Sequence, residues 1–202
     1  MITINTGDGT IQQAKNWIEY MIGSINTKYG KLRYKNGRKN PYELQTIFIG
    51  NEMFGGWQIG HTDPITYANK YNSFVKELKK LNKKLRFIAV GACSDHFGHW
   101  NEYVLKNIKE KIDELSVHYY SIRTEKDKKH PDYKTRYIPT VAAATEVRLM
   151  LDRTIREIKK YSNKNIKIAF DEWNTYVEAT PPYFIENYNC LLYTSPSPRD
   201  KH

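Results

Sequence analysis

Four short apolar runs, separated by stretches with helical periodicity, constrain this chain more than any other feature. They are Thr46-Ile47-Phe48-Ile49, Leu85 to Gly91, Leu115 to Tyr120 and Ile166 to Phe170. The first, second and fourth hold apolar residues at consecutive positions, and all four are too short for a helix. Such a run must be covered on both faces, which is the pattern of a buried parallel strand. Between them lie helical stretches. Ile11 to Ile22 carries Ile11, Ala14, Ile18, Met21 and Ile22 at helical spacing, with Thr10 placed as N-cap. Thr62-Asp63-Pro64 opens a second, with Tyr67, Tyr71, Phe74, Val75, Leu78 and Leu81 on one side. Trp100 to Ile112 and Thr140 to Tyr161 read as two more. Met1 to Thr10 reads as the end of a strand and a glycine turn, and the polar segments 23–42 and 121–139 read as loops. The regular alternation predicts an α/β fold with a parallel sheet and right-handed crossovers. An open doubly wound sheet and part of a (β/α)8 barrel both satisfy it. No GxGxxG turn follows any strand, so a dinucleotide fold lacks its fingerprint.

Polar and aromatic residues gather where the strands end: Asn51-Glu52, Ser94-Asp95-His96, His118-Tyr120 and Glu172-Trp173-Asn174. In a barrel that rim is where chemistry sits. Glu52 and Glu172 each directly follow an apolar run, and each has Asn and aromatic neighbours in sequence. A lone Glu at a strand end is ordinarily a salt-bridge partner or a loop anchor. Two at equivalent positions, with Asn and Trp beside them, fit a pair of carboxyl groups flanking a glycosidic bond. One of the pair must be protonated near neutral pH to donate to the leaving oxygen, and the other must be ionised to attack the anomeric carbon. Asp171 is the nearest competitor, but strand alternation is expected to turn it away from the side of Glu172. Asp95 is a weaker one.

Composition narrows the alternatives. Apolar residues make up 40% and charged residues 27% of 202 residues, which suits one globular domain and excludes a disordered tail or a disulfide scaffold. No run approaches the roughly 20 apolar residues of a membrane span. The net charge of +10 raises the question of a nucleic-acid partner. However, Lys76, Lys79, Lys80, Lys83 and Lys84 lie in one helical stretch, Lys106, Lys109 and Lys111 in a second, and Lys159, Lys160, Lys164 and Lys167 in or near a third. Charges so spread, and mixed with Glu, read as solvated helix faces rather than as the single basic surface that nucleic acid requires. The two cysteines, Cys93 and Cys190, form no CxxC pair. The six histidines include no HExxH, and His96 and His99 lack a paired carboxylate, so neither a catalytic metal nor any other cofactor is expected. No GxSxG marks a serine nucleophile.

The strand-end residues also resemble a known family. Ile49-Gly50-Asn51-Glu52-Met53, followed by Gly56-Trp57-Gln58-Ile59-Gly60, is similar to the acid/base segment of glycoside hydrolase family 51, the α-L-arabinofuranosidases. Phe170-Asp171-Glu172-Trp173-Asn174 resembles its nucleophile segment, Ser116-Val117-His118-Tyr119-Tyr120 its strand-six ending, and Asn16-Trp17-Ile18-Glu19-Tyr20 the helix after strand three. The resemblance implies a retaining double displacement on a (β/α)8 barrel, of which residues 1–189 would form the part from the end of strand three through strand seven. Carried over, it makes Glu52 the acid/base and Glu172 the nucleophile. Asn51 would bond the sugar 2-hydroxyl, Tyr120 would orient the nucleophile, His118 would lie near the acid/base, and Trp57 and Trp173 would line the sugar pocket. The implied partner is an arabinofuranosyl oligosaccharide or polysaccharide, with no nucleic acid and no membrane. By the same analogy the protein is expected in the cytoplasm, with secretion left open, and the full-length parent is expected to be a homo-oligomer. An endoglucanase or β-xylosidase of the same clan, or a non-catalytic carbohydrate-binding remnant, are the competing readings.

Both ends look cut on this alignment. Strands one and two, most of strand three, strand eight and a C-terminal β-sandwich have no counterpart. The chain as written is therefore expected to be inactive and to fold poorly, with exposed parallel edges. From Cys190 to Asp200, the string Cys-Leu-Leu-Tyr-Thr-Ser-Pro-Ser-Pro-Arg-Asp matches one reading frame of a transposase sequencing adapter. Residues 190–202 are accordingly expected to be an assembly artefact rather than a domain.

Overall fold

A computed structural model describes residues 1–93, 97–122 and 133–176. The Ser94-Asp95-His96 segment and the Cys190–His202 tail lie outside the described residues, as does the middle of the loop expected after Tyr120. The elements run β1 (Ile2–Ile4), α1 (Ile11–Ile22), α2 (Lys28–Lys35), β2 (Thr46–Ile49), α3 (Pro64–Leu78), β3 (Arg86–Val90), α4 (Trp100–Asn107), β4 (Glu114–Ile122), α5 (Tyr133–Tyr161) and β5 (Lys167–Tyr176). The five strands form one sheet in the order β1-β2-β3-β4-β5. The pairs from β1 to β4 are parallel, with Ile4 beside Ile49, Ile49 beside Ala89 and Val90 beside Ser116. Strand order separates the two candidate architectures. A doubly wound sheet reverses its order at a switch point, whereas these strands advance one position at a time, as in an arc of a (β/α)8 barrel.

The chain divides into two compact units. The first comprises Met1–His118 with Met150–Asp171, and the second Tyr119–Leu149 with Glu172–His202. The core of the first unit is continuous. Ile47, Ile49, Phe87 and Ala89 of the sheet are fully buried, as are Ile18 of α1, Tyr67, Tyr71 and Leu78 of α3 and Val104 of α4. The helices begin where the sequence places them. Thr10 accepts from the Gln13 backbone N–H while the Gln13 side chain accepts from the Thr10 backbone N–H, a complete capping box. Asp63 accepts from the N–H groups of Ile65 and Thr66, with Pro64 in the first turn.

Among the helices, α2, α4 and α5 depart most from the sequence expectation. The polar segment 23–42 contains α2, whose own side chains are too polar to signal it. Tertiary contacts hold it: Arg33 is fully buried and donates to the Tyr20 and Lys39 carbonyls, closing the C-terminal end of α1. The helix from Trp100 stops at Asn107 rather than Ile112, because the chain turns there to let the Lys109 and Glu110 N–H groups reach Asn72 of α3. Helix α5 begins at Tyr133 and runs through Pro139. A proline removes one helical hydrogen bond and ordinarily marks a boundary, hence the expectation of a start at Thr140.

Candidate active site

The C-terminal ends of β2 and β3 are pinned from below. The fully buried Tyr67 of α3 donates to the Ile49 carbonyl (2.8 Å) and accepts from the Val90 N–H (2.8 Å), joining both strand ends through one hydroxyl. Burial pushes the pKa of that hydroxyl far up, so it stays protonated. Trp100 donates its indole N–H to the Val90 carbonyl, and Asn101 exchanges two bonds with the Ala92 backbone.

On this footing the chain turns sharply after β2. Gly50 has φ +84° and Glu52 φ +44°, the left-handed region that side chains other than glycine rarely occupy. A β-carbon on Gly50 would come within 2.4 Å of the Thr6 hydroxyl. Buried Thr6, just past β1, in turn contacts the Met53 sulfur at 3.3 Å. The turn aims Glu52 at two donors. Trp57 gives its indole N–H to one carboxyl oxygen at 2.6 Å, and His118 Nδ1 lies 2.9 Å from the other. These contacts, with Gln58, hold the Glu52 pKa below its ordinary 4.5, the His118 bond being the largest cause and burial opposing it. The expectation of a carboxyl protonated near neutral pH is thus not met by Glu52 in this arrangement. Its neighbours are donors, and donors favour the charged form. Trp57 is itself 64% exposed and stands edge-on to Phe54 and Phe97, so it forms an aromatic step beside the carboxylate. Asn51 is half-buried, and its side chain makes no hydrogen bond among the described residues.

His118 is buried on β4. Its Nε2 lies 3.2 Å from the Ser116 hydroxyl, which donates to Asp171 at 2.8 Å; a second Asp171 oxygen is 3.7 Å from Nε2. Asp171, which alternation was expected to turn away from the side of Glu172, meets Ser116 and His118. It joins the His118 network, and so does Ser116, a residue the sequence reading left without a role. The signal available was spacing: Ser116 and His118 are two apart on a strand and share a face.

In the second unit, Tyr120 donates its hydroxyl to Glu172 at 3.1 Å. Glu172 is half-buried and Trp173 is 48% exposed. Strand β5 runs on to Tyr176, so Glu172, Trp173 and Asn174 lie on the strand rather than beyond its end. Of the sequence-derived site residues, Asn51, Glu52, Trp57 and His118 belong to the first unit and Tyr120, Glu172 and Trp173 to the second.

Comparison with known proteins bears on this arrangement. The family model of the α-L-arabinofuranosidase 1 domain matches residues 3–138. An intracellular exo-α-L-arabinofuranosidase of Bacteroides ovatus is 28% identical over 88% of this chain and 35% of its own length. The α-L-arabinofuranosidase C of Emericella nidulans is 28% identical over 87% and 36%. The crystal structure of the α-L-arabinofuranosidase of Thermotoga maritima in complex with arabinose has TM-score 0.75 and 32% identity, covering 88% of this chain and 35% of its own. The chain thus spans about a third of the length of these relatives. Strand order, the family match and the likeness to the solved relative agree: this chain belongs to the α-L-arabinofuranosidase family, glycoside hydrolase family 51, and carries part of its (β/α)8 barrel.

Proposed function

We propose that this chain supplies the acid/base and the nucleophile of a retaining glycosidase that removes terminal α-L-arabinofuranosyl units from arabinose-containing polysaccharides or oligosaccharides. The observation that carries the proposal is Glu52, held on a left-handed turn past β2 with an imidazole on one carboxyl oxygen and an indole on the other. In this reading Glu52 donates a proton to the leaving oxygen and then, as carboxylate, takes one from water. Glu172 attacks the anomeric carbon, and the Tyr120 hydroxyl bonded to it steadies the carboxylate. The unengaged amide of Asn51 is suited to the sugar 2-hydroxyl, a contact that strengthens in the transition state. Trp57 and Trp173 offer exposed aromatic faces on which a sugar ring stacks. The names of two intracellular relatives support a cytoplasmic location, and no helix among the described residues is long and apolar enough to cross a membrane.

The test uses a chimera in which this chain replaces the matching third of the Thermotoga maritima relative. Hydrolysis of 4-nitrophenyl α-L-arabinofuranoside is expected to exceed that of the β-D-xylopyranoside and of cello-oligosaccharides. Glu172→Ala should abolish it, and azide should partly restore it as a surrogate nucleophile. Preference for a xyloside or glucan would move the assignment within the clan. Undiminished turnover by Glu172→Ala would remove the catalytic reading altogether.

A further inference from the structure

The loop that carries Glu52 and Trp57 is seated on a segment from elsewhere in the first unit. Three successive turns lead from Glu52 to His61: the Gly55 N–H donates to the Glu52 carbonyl, the Gln58 N–H to that of Gly55 and the His61 N–H to that of Gln58. The Thr62 N–H returns to the Met53 carbonyl at 2.9 Å and closes the loop. Thr6 and Gly7, just past β1, lie against both of its arms. On the first arm, the Thr6 hydroxyl donates to the Met53 sulfur, and the Gly50 N–H donates to the Ile4 carbonyl at 3.1 Å. On the second, Gly7 and Gly60 meet backbone to backbone. A β-carbon on Gly60 would stand 2.6 Å from the Gly7 Cα, and one on Gly7 would overlap the Ile59 carbonyl oxygen. The seat is itself held. The Asn5 side chain accepts from the Gly7 N–H at 3.0 Å and donates to Asp8 at 2.8 Å. From α3, half-buried Lys70 donates its ammonium to the Thr6 carbonyl at 2.7 Å, across 64 positions of sequence. A hydrogen bond from a charged donor is roughly twice as strong as a neutral one. Lys15, Lys79 and Lys80 each pair with a carboxylate, whereas Lys70 makes no ion pair among the described residues and gives its charge to this carbonyl.

We propose that Lys70 and the Thr6–Gly7 segment are positioning residues: they fix the two arms of the loop relative to each other and so keep the Trp57 indole on the Glu52 carboxylate. Glu52 directly precedes Met53 on the first arm, and Trp57 stands two residues before Ile59 on the second. Their 2.6 Å bond therefore spans the two arms, and its length depends on the seat that both share. With Trp57 64% exposed, burial contributes little to holding the ring there. The other groups acting on Glu52 are His118, from β4, and Gln58, from the same loop. The inference rests on the acid/base assignment of Glu52 for its catalytic meaning, but the clamp itself is a property of the folded chain.

The experiment is a carbon NMR titration of Glu52 in the chimera with the Thermotoga maritima relative, labelled with 13C-glutamate, the signal being assigned by its loss in Glu52→Gln. Lys70→Met removes the ammonium and should raise the Glu52 midpoint, by no more than Trp57→Phe does. Lys70→Arg, which keeps a charged donor, should leave the midpoint where it is. Gly7→Ala changes no charge and should raise it as well, by displacing Ile59; Lys70→Gln is the milder variant and should shift it less than Lys70→Met. In a Trp57→Phe background none of these should raise the midpoint further, because the clamp acts through the indole. The alkaline limb of the kcat/KM profile, which reports the acid of the free enzyme, should move up with the midpoint. An unchanged midpoint in Lys70→Met overturns the proposal. So does a shift that persists in full without Trp57, which would show that the lost charge acts on Glu52 directly. Hydrolysis separates the two readings: the expected midpoints without arabinofuranoside turnover sink the function and leave the clamp, and turnover without the expected midpoints sinks the clamp alone.

Discussion

Glu52 sits at φ +44°, and such a conformation costs a non-glycine residue on the order of 1–3 kcal/mol. The turn that enforces it depends on Gly50, where only glycine fits beside the Thr6 hydroxyl and Met53. Gly50→Ala is therefore expected to destabilise the first unit by about 1–3 kcal/mol, read as a lower denaturant midpoint; an unchanged midpoint would show that the turn relaxes freely. The carboxylate's donors make a second expectation. Trp57→Phe removes the 2.6 Å indole bond, which lowers the Glu52 pKa, so the Glu52 midpoint in a carbon NMR titration should rise. The sign for stability follows from the same shift. A folded-state pKa below the ordinary 4.5 stabilises the folded chain above that value, and this stabilisation is lost as pH falls through the folded pKa. Melting temperature should accordingly drop more steeply below about pH 4.5 in the unaltered chain than in Glu52→Gln. Parallel curves would argue that the donors do not act on Glu52 in solution.

The elements show where local sequence suffices and where it does not. Helix α3 announces itself through Asp63, Pro64 and its apolar stripe, and each acts as chemistry dictates. Asp63→Ala should cost about 1 kcal/mol, since the N–H groups of Ile65 and Thr66 lose their acceptor; a change of a few tenths would mean that water caps the helix as well. Helix α2 is the opposite case. Its sequence, Lys-Tyr-Gly-Lys-Leu-Arg-Tyr-Lys, has no clear apolar face, and buried Arg33 holds it to the carbonyls of α1. Strands β2 and β3 were legible from their apolar runs, but the device that aligns their ends, the Tyr67 hydroxyl shared between Ile49 and Val90, was not. Tyr67 lies 18 residues from one partner and 23 from the other. Its periodicity marks it as core and says nothing of its hydroxyl.

At the scale of the molecule, a retaining mechanism needs its two carboxyl groups at a fixed separation of about 5–5.5 Å. Here Glu52 belongs to one compact unit and Glu172 to the other, in a chain about a third the length of its relatives. In the chimera with the Thermotoga maritima relative, removal of either carboxyl group, by Glu52→Ala or Glu172→Ala, is therefore expected to reduce turnover of 4-nitrophenyl α-L-arabinofuranoside strongly. Undiminished turnover in either variant would remove that residue from the catalytic pair.

The sequence alone determined the alternation of helix and strand, the caps at Thr10 and Asp63, and the positions of Glu52 and Glu172 beside apolar runs, because each is written in residues adjacent or a few apart. Tertiary structure decided what depends on residues distant in the chain. The order of strands distinguished barrel from doubly wound sheet, and the Glu52–His118 contact spans 66 positions. The ionised state of Glu52 follows from donors that only folding brings to it. The bond between Asp171 and Ser116 was hidden for the same reason: alternation along one strand fixes a side, but the partner there belongs to another strand.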